Sequence, residues 1–124
     1  MGLHFLKIAV VYLLIGAILG LGMGISQNFS LVPVHAHVLL LGWASLALAC
    51  VVYHLYPAAS GTRLARLHFW LHNLGLPVFM IGLGVMLTGH EAALPAVVLG
   101  AVTVLIGLAL FTANVLFNIR PAAA

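Results

Sequence analysis

The stretch PVHAHVLLLGW, residues 33–43, places two histidines in an otherwise apolar run that continues to His54 and Pro57. An ionisable side chain at membrane depth is costly to leave without a partner, so an intramembrane histidine is a functional-site hypothesis by default. On an α-helix, positions two residues apart differ in direction by about 200° and lie at almost the same depth. His35 and His37 are therefore predicted to point to nearly opposite flanks of one helix.

The composition around this stretch is that of an integral membrane protein. Of 124 residues, 65% are hydrophobic and 4% are charged, whereas soluble domains are about 25% charged. Four apolar runs, at about 6–25, 33–56, 67–89 and 94–118, each approach the roughly 20 residues that a helix needs to cross a bilayer. In lipid, a separate apolar segment can satisfy all its own backbone polar groups only as a helix. The predicted fold is all-α, a single domain of residues 1–124 with four transmembrane helices in the lipid bilayer.

The few charged residues favour one orientation. The four cations lie at the start of the first run, between the second and third, and after the fourth: Lys7, Arg63, Arg66 and Arg120. The only acid, Glu91, lies between the third and fourth runs. The positive-inside rule then predicts that both termini are cytoplasmic, in a multi-pass protein of a bacterial-type inner membrane. With no basic cluster beyond two arginines, nucleic acid is not an expected partner.

Other histidines offer further candidate ligands. His68 and His72 open the third span on one helical face, a spacing that lets two imidazoles clamp one metal ion or bond to other helices. For His72, a ligand or cofactor contact and a structural hydrogen bond are equal alternatives, whereas His68 lies near the arginines and is interpreted as interfacial. His90 lies in the outer loop, where a solvent-exposed histidine is the favoured interpretation. Because the second span begins on the same side, a role near His35 and His37 is the alternative.

The remaining polar and small residues are interpreted as packing or interfacial features. Gly16, Gly20 and Gly24 form a smooth stripe on the first span, where a helix of the same chain or of another copy can approach closely. Tyr53 and Tyr56 resemble an aromatic belt at the membrane surface. The fourth span has only threonines and asparagines as polar side chains and is predicted to be a packing element.

Coordination by neutral imidazole is the chemistry that this set of residues allows. The chain has a single acid and no Ser-His-Asp candidate, which excludes ordinary acid–base hydrolysis. Haem iron takes axial histidines, and its apolar macrocycle fits between helices. Copper and zinc also accept imidazole, although a closed zinc site uses more ligands. Because His35 and His37 diverge, a haem on each flank fits, whereas one ion chelated by both does not.

Two segments resemble a known family. The pair His35-Ala36-His37, followed by Gly42-Trp43 and by a Tyr-His-Leu exit ending in Pro57, resembles the His-x-His helix of haem-copper oxidase subunit I. The sequence LHFWL at 67–71 resembles the next helix of that family. The Gly-Trp variant is most similar to the branch of cbb3-type oxidases and nitric oxide reductases. The four-helix whole looks like small stand-alone relatives of subunit I.

The resemblance implies a cofactor and an assembly. It implies that His35 holds one b-type haem and His37 another, with His72 and His90 as weaker candidate ligands and copper as a second candidate metal. It also implies a fold like one of the three four-helix arcs that surround the pseudo-threefold axis of subunit I. We therefore expect a homotrimer in which His35 of one subunit and His37 of its neighbour bracket a shared haem, as cyclic symmetry permits.

The sequence leaves three functions as alternatives. The first is a membrane b-type haem protein for electron transfer or haem redox chemistry with an unidentified redox partner. Four spans without the family's copper motif or carboxylate proton channel do not predict complete oxygen reduction. The second is a non-catalytic protein that handles copper or haem, or assists assembly of a larger complex. The third is a structural bundle whose histidines bond other helices.

Overall fold

The computed structural model describes residues 2–119, which are helical apart from short connections. The long helices are α1 (Gly2–Ser26), α2 (Val32–Leu55), α3 (Arg63–Leu87) and α4 (Leu94–Asn118). All four are long and apolar enough to cross a membrane, so the predicted number and placement of apolar helices are confirmed. A single helical turn, Pro57–Ser60, precedes α3, and a 3₁₀ turn, Glu91–Ala93, precedes α4.

The start of α3, like that of α1, lies four residues before the sequence-based boundary. The helix begins at Arg63 rather than near residue 67, because Thr62 caps its first turn by accepting a hydrogen bond from Ala65 N at 3.1 Å. The helix then continues through Pro77 without a break. The start of α2 follows the expected pattern, since Pro33 occupies its first turn, where a missing N–H costs nothing.

Successive helices run in opposite directions. A Cβ added to Gly2, at the start of α1, would stand 3.3 Å from the carbonyl oxygen of Cys50, near the end of α2. At the same end, the ring of Phe5 lies 5.2 Å from the ring of His68, near the start of α3. The side chain of Thr62 there contacts Asn114, near the end of α4. The four helices therefore alternate, with the starts of α1 and α3 at one end.

This alternation confirms the predicted grouping of charges for the residues that the structure describes. Lys7, Arg63 and Arg66 lie at the end where α1 and α3 begin, which we call the basic end. Glu91 lies at the other end of the bundle, beside the turn into α4. Arg120, assigned from the sequence to the same side as the other cations, lies outside the described residues.

The closest helix pair is α3 with α4, and four buried glycines line their contact. Gly75 and Gly82 of α3, like Gly100 and Gly107 of α4, are seven residues apart and therefore share one helical face. A Cβ at Gly75 would lie 2.9 Å from Thr103 Cβ, and one at Gly100 would overlap the backbone of Phe79. Small residues at such positions let two membrane helices pack backbone to backbone.

The glycine stripe of α1 is filled by α2 of the same chain. A Cβ at Gly16 would overlap the side chain of Leu39, and one at Gly20 would lie 2.8 Å from His35 Cε1. Gly24 meets nothing within 4 Å. The predicted close approach is thus confirmed for Gly16 and Gly20, and of the two partners left open by the sequence it is the intrachain one.

The middle of α2 is a π-helix from Val38 to Ala44, which the sequence did not predict. Such wide turns occur as short insertions in α-helices, often at functional sites. Two side chains bond to carbonyls of this segment: Ser45 Oγ donates to Leu40 O at 2.8 Å, and His72 Nε2 donates to Leu41 O at 2.9 Å. The π-helix is therefore the part of α2 that accepts a hydrogen bond from a side chain of α3, that of His72.

The exterior of the bundle is as apolar as its interior. One buried cluster lies at the basic end around Phe5, Leu46 and Tyr53, and a second lies around Leu76 and Val104. Large apolar side chains also face outward along all four helices, including Leu21, Leu74 and Phe117. Apolar patches of this extent are rare on soluble monomers and agree with four helices that are apolar enough to cross a membrane.

Replacing one contact glycine tests the packing of α3 against α4. Gly100→Ala is expected to destabilise the protein by about 1–3 kcal/mol, because the added methyl would overlap the Phe79 backbone and force the helices apart. The measurement is the thermal unfolding midpoint in detergent. Gly22→Ala is the matched control, since a Cβ there meets nothing within 4 Å. Equal midpoints for the two variants would contradict the glycine contact.

Candidate functional site

His35 lies in the first turns of α2 and packs against α1. Its Nδ1 is 2.9 Å from the carbonyl oxygen of Gly16, and its ring lies on the smooth surface that Gly20 provides. Because a carbonyl oxygen only accepts hydrogen bonds, Nδ1 carries the ring proton, and the lone pair of the neutral imidazole is on Nε2. Nε2 is therefore the atom of His35 that can bind a metal.

His37 reaches the other flank of α2. Its Nδ1 is 2.7 Å from the carbonyl oxygen of Pro33, one turn earlier in the same helix. Its ring meets the ring of Phe79 on α3 edge to face, with centroids 5.2 Å apart. It lines a groove of about 330 Å³ whose other walls come from α3 and α4. The predicted divergence of the two histidines is confirmed, since one contacts α1 and the other contacts α3.

The imidazole rings of His35 and His37 are in the same tautomer. Each is half-buried and donates its Nδ1 proton to a backbone carbonyl, so in each the lone pair is on Nε2. Metal-binding histidines in proteins almost always donate their other ring nitrogen to a carbonyl, carboxylate or water, which fixes the ring and its tautomer. Each flank of α2 therefore carries one neutral imidazole whose Nε2 can coordinate a metal ion.

His72 is completely buried between α2, α3 and α4. Its Nε2 donates to Leu41 O, so its Nδ1 is the proton-free acceptor. Within residues 2–119, that Nδ1 has no hydrogen-bond partner. The structural hydrogen bond that the sequence allowed is present, and a ligand role for the other nitrogen stays a prediction.

A polar cluster of Tyr53, His68 and Asn114 lies at the basic end and joins three helices. Asn114 Nδ2 donates to Tyr53 Oη at 3.4 Å and to Ala59 O at 3.0 Å, and Tyr53 Oη lies 3.1 Å from His68 Nδ1. Because the phenol oxygen accepts from Asn114, its own proton is free to be donated to His68 Nδ1. All three side chains of the polar cluster are buried.

Two more side chains connect the polar cluster to the loop and to the end of α4. Thr62 Oγ1 lies 3.0 Å from Asn114 Oδ1, and Asn118 Nδ2 donates to the same oxygen at 2.9 Å. Asn114 is thus the centre of the hydrogen bonds at this end of the bundle.

Three interpretations from the sequence are wrong here. Tyr53 is 2% exposed and does not belong to an aromatic belt, whereas Tyr56 is 41% exposed. His68 is buried rather than interfacial, because the Tyr53 phenol supplies its partner in the interior. The fourth span is more than a packing element, since Asn114 holds the polar cluster. The four-residue spacing of Asn114 and Asn118, which places both on one face, was the available signal.

His90 does not join the histidines of α2 in a shared cluster. It lies exposed before the turn into α4. Among the described residues, no group of three or more His, Cys, Asp or Glu side chains is placed to hold a metal ion. The residues predicted as ligands therefore occupy separate places: His35 and His37 on two flanks of α2, His72 in the interior and His90 at the surface.

A scan against protein-family models and searches of curated proteins and of solved structures give no match to this chain. The geometry defines a class of protein: an antiparallel bundle of four helices that are apolar enough to cross a membrane. Near the start of its second helix, two imidazoles each have an Nε2 that can coordinate a metal ion.

Removing one hydroxyl tests the polar cluster. Tyr53→Phe is expected to cost about 1 kcal/mol of stability, since it leaves His68 Nδ1 and one Asn114 proton without their partner in the interior. The measurement is the midpoint of thermal unfolding in detergent. The control is Tyr56→Phe, where the hydroxyl belongs to an exposed side chain. If both variants unfold at the wild-type midpoint, the polar cluster contributes nothing to stability.

Proposed function

We propose that this chain is a membrane b-type haem protein, similar in its α2 pattern to subunit I of haem-copper oxidases, for electron transfer or haem redox chemistry. His35 and His37 bind haem iron through Nε2. The observation that carries the proposal is the pair of hydrogen bonds from Nδ1, at 2.9 Å to Gly16 O and at 2.7 Å to Pro33 O. These bonds fix both rings in the tautomer that iron requires.

The surroundings of His37 fit this cofactor in their chemistry. The groove beside His37 is lined by aliphatic side chains and Phe79, as an apolar macrocycle needs. When bound, haem supplies one-electron redox chemistry at an iron whose potential depends on its axial ligands and surroundings. The chain's own part is to orient the imidazoles through the Gly16 and Pro33 carbonyls and to keep water from the groove.

Each haem is shared between two subunits of a homotrimer in this proposal. The two rings lie on different flanks of α2, so one copy does not present both to the same iron. The groove beside His37 is open on its outer side, where a neighbouring copy has room to supply the second ligand. Threefold cyclic symmetry then makes three equivalent sites. Two histidine ligands on one iron leave no open position for oxygen, which favours electron transfer.

The proposed orientation has the basic end at the cytoplasmic side of a bacterial-type inner membrane. Lys7, Arg63 and Arg66 share that end, and the positive-inside rule supports the assignment. His35 and His37, at the start of α2, then lie near the outer leaflet, where a redox partner outside the cytoplasm can approach the haem.

An absorption spectrum of the purified protein, oxidised and dithionite-reduced, tests haem binding. We expect sharp reduced bands of a b-type haem with two histidine ligands, and loss of most of their intensity in His35→Ala and in His37→Ala, because each variant removes one of the two ligands. His54→Ala is the control, since His54 is exposed and lies at the opposite end of α2. Unchanged bands in the double variant His35→Ala/His37→Ala, or no bands in the wild type, would refute the proposal.

Complementation between two variants tests the shared site. When differently tagged His35→Ala and His37→Ala chains are co-expressed, mixed trimers contain one interface with both histidines intact. Purification through both tags should therefore recover haem, up to one per trimer, although each variant alone binds none. Mixed oligomers without haem would show that the two ligands do not come from neighbouring copies, and a monomer loaded with haem would exclude the trimer.

A second candidate function, non-catalytic handling of copper or haem, is favoured by the buried Nδ1 of His72 that has no partner among the described residues. The ring of His68 lies 5.4 Å from it, centroid to centroid, and imidazole is a suitable copper ligand. Stoichiometric copper in a haem-free wild type, lost in His72→Ala but kept in His90→Ala, would support this function over the first.

A further inference from the structure

A groove of about 580 Å³ lies between α1 and α3, with α2 at its floor. One face of α1 from Lys7 to Leu19 forms its first wall, and Pro77, Met80 and Ile81 of α3 form the opposite one. Val34 and Val38 of α2 close the bottom. At the basic end α1 and α3 are in contact, since the rings of Phe5 and Phe69 lie 5.0 Å apart, and further along the groove separates the two helices. The α3 and α4 pair instead has glycines that bring the two backbones together.

The chemistry of the groove is apolar with one charge at its mouth. Lys7 is the single charged residue among those that line it, and it lies at the basic end. Tyr12, also on the wall, has its ring set against the bare surface of Gly42 in the π-helix. A ligand that matches this lining has a long apolar body and an anionic head at the end where Lys7 lies.

The length of the groove matches one lipid chain. Lys7 and Leu19 are twelve residues apart in α1, which is about 18 Å along the helix axis. The hydrocarbon core of a bilayer is about 30 Å thick, so one leaflet contributes about half of it. A chain from one leaflet that starts beside Lys7 and runs parallel to α1 therefore reaches the level of Gly16, beside which Val38 of the groove floor lies.

We propose that this groove binds one acyl chain of an anionic phospholipid, whose net negative headgroup lies beside the Lys7 ammonium. Basic pockets between membrane helices on the cytoplasmic side bind anionic lipid headgroups by the same attraction. Neither His35 nor His37 lines the groove, although Val34 and Val38 of its floor are their neighbours in the chain. The proposal does not depend on haem binding.

A helix from a second copy fits this groove less well. The only acid in the chain is Glu91, and it lies at the end of the bundle opposite to Lys7. A second copy in the same orientation therefore brings no negative side chain to Lys7, whereas an anionic lipid does. Charge complementarity thus favours the lipid.

Native mass spectrometry of the full-length protein in detergent tests the proposal. The probes are dioleoyl phosphatidylglycerol and dioleoyl phosphatidylcholine, which have the same chains and differ in net charge. We expect the wild type to retain several-fold more phosphatidylglycerol than phosphatidylcholine. Lys7→Gln should remove this preference, and Lys7→Arg should keep it. Arg66→Gln is the matched control, because Arg66 is an exposed cation of the same end that does not line the groove.

A second pair of variants tests the groove itself. Ile15→Trp places a large side chain on the groove wall and should lower retention of both lipids several-fold. Leu14→Trp is its control, since Leu14 is 61% exposed and faces away from the groove. Thermal unfolding of each variant shows that it is folded, so a loss of lipid is not a loss of the protein.

Several outcomes would overturn the proposal. Equal retention of the two lipids by the wild type would remove the role of the charge, as would equal losses in Lys7→Gln and Arg66→Gln. Equal retention by Ile15→Trp and Leu14→Trp would place the lipid elsewhere on the surface. Dissociation of the oligomer in Ile15→Trp, with lipid binding unchanged, would identify a second copy as the occupant. Loss of haem bands in Ile15→Trp, with lipid unchanged, would identify haem instead.

Discussion

The constraint on which this structure depends is that a polar group inside an apolar bundle needs a partner within the protein. Three histidines satisfy it for their ring N–H group with backbone carbonyls of their own chain: His35 with Gly16, His37 with Pro33, and His72 with Leu41. Each of these hydrogen bonds uses one nitrogen of the imidazole ring and leaves the lone pair of the other nitrogen free of that carbonyl. The same requirement that holds the helices together therefore also sets the tautomer of each imidazole and leaves a second nitrogen for a ligand.

The two halves of the bundle meet this constraint differently. At the basic end, side chains satisfy one another, and Asn114 connects a tyrosine, a histidine and the loop before α3. At the other end, His35 and His37 bond only to backbone, so no side chain competes for their free nitrogens. At the basic end the polar side chains are therefore used in hydrogen bonds that join helices. The chemistry proposed for this chain lies at the other end, where α2 begins.

Helix spacing is also unequal around the bundle. Glycines bring α3 and α4 into contact along their length, and Gly16 and Gly20 let α2 approach α1. The α1 and α3 pair has no such glycines facing each other, and bulky aliphatic side chains hold it open. The lipid proposed above would enter this open side without movement of the helices. The position of glycine along each helix therefore decides where the protein is closed and where it is open.

The sequence alone determined the local features of this protein. Apolar runs near 20 residues long fixed four helices, alternation placed Lys7, Arg63 and Arg66 at one end, and helical geometry sent His35 and His37 to different flanks. Only the tertiary structure decided which neighbours those side chains meet. The π-helix, the burial of Tyr53 and the bonds of Asn114 depend on contacts between residues far apart in the chain. Periodicity within one helix carries no information about such contacts, because they arise only when the helices pack.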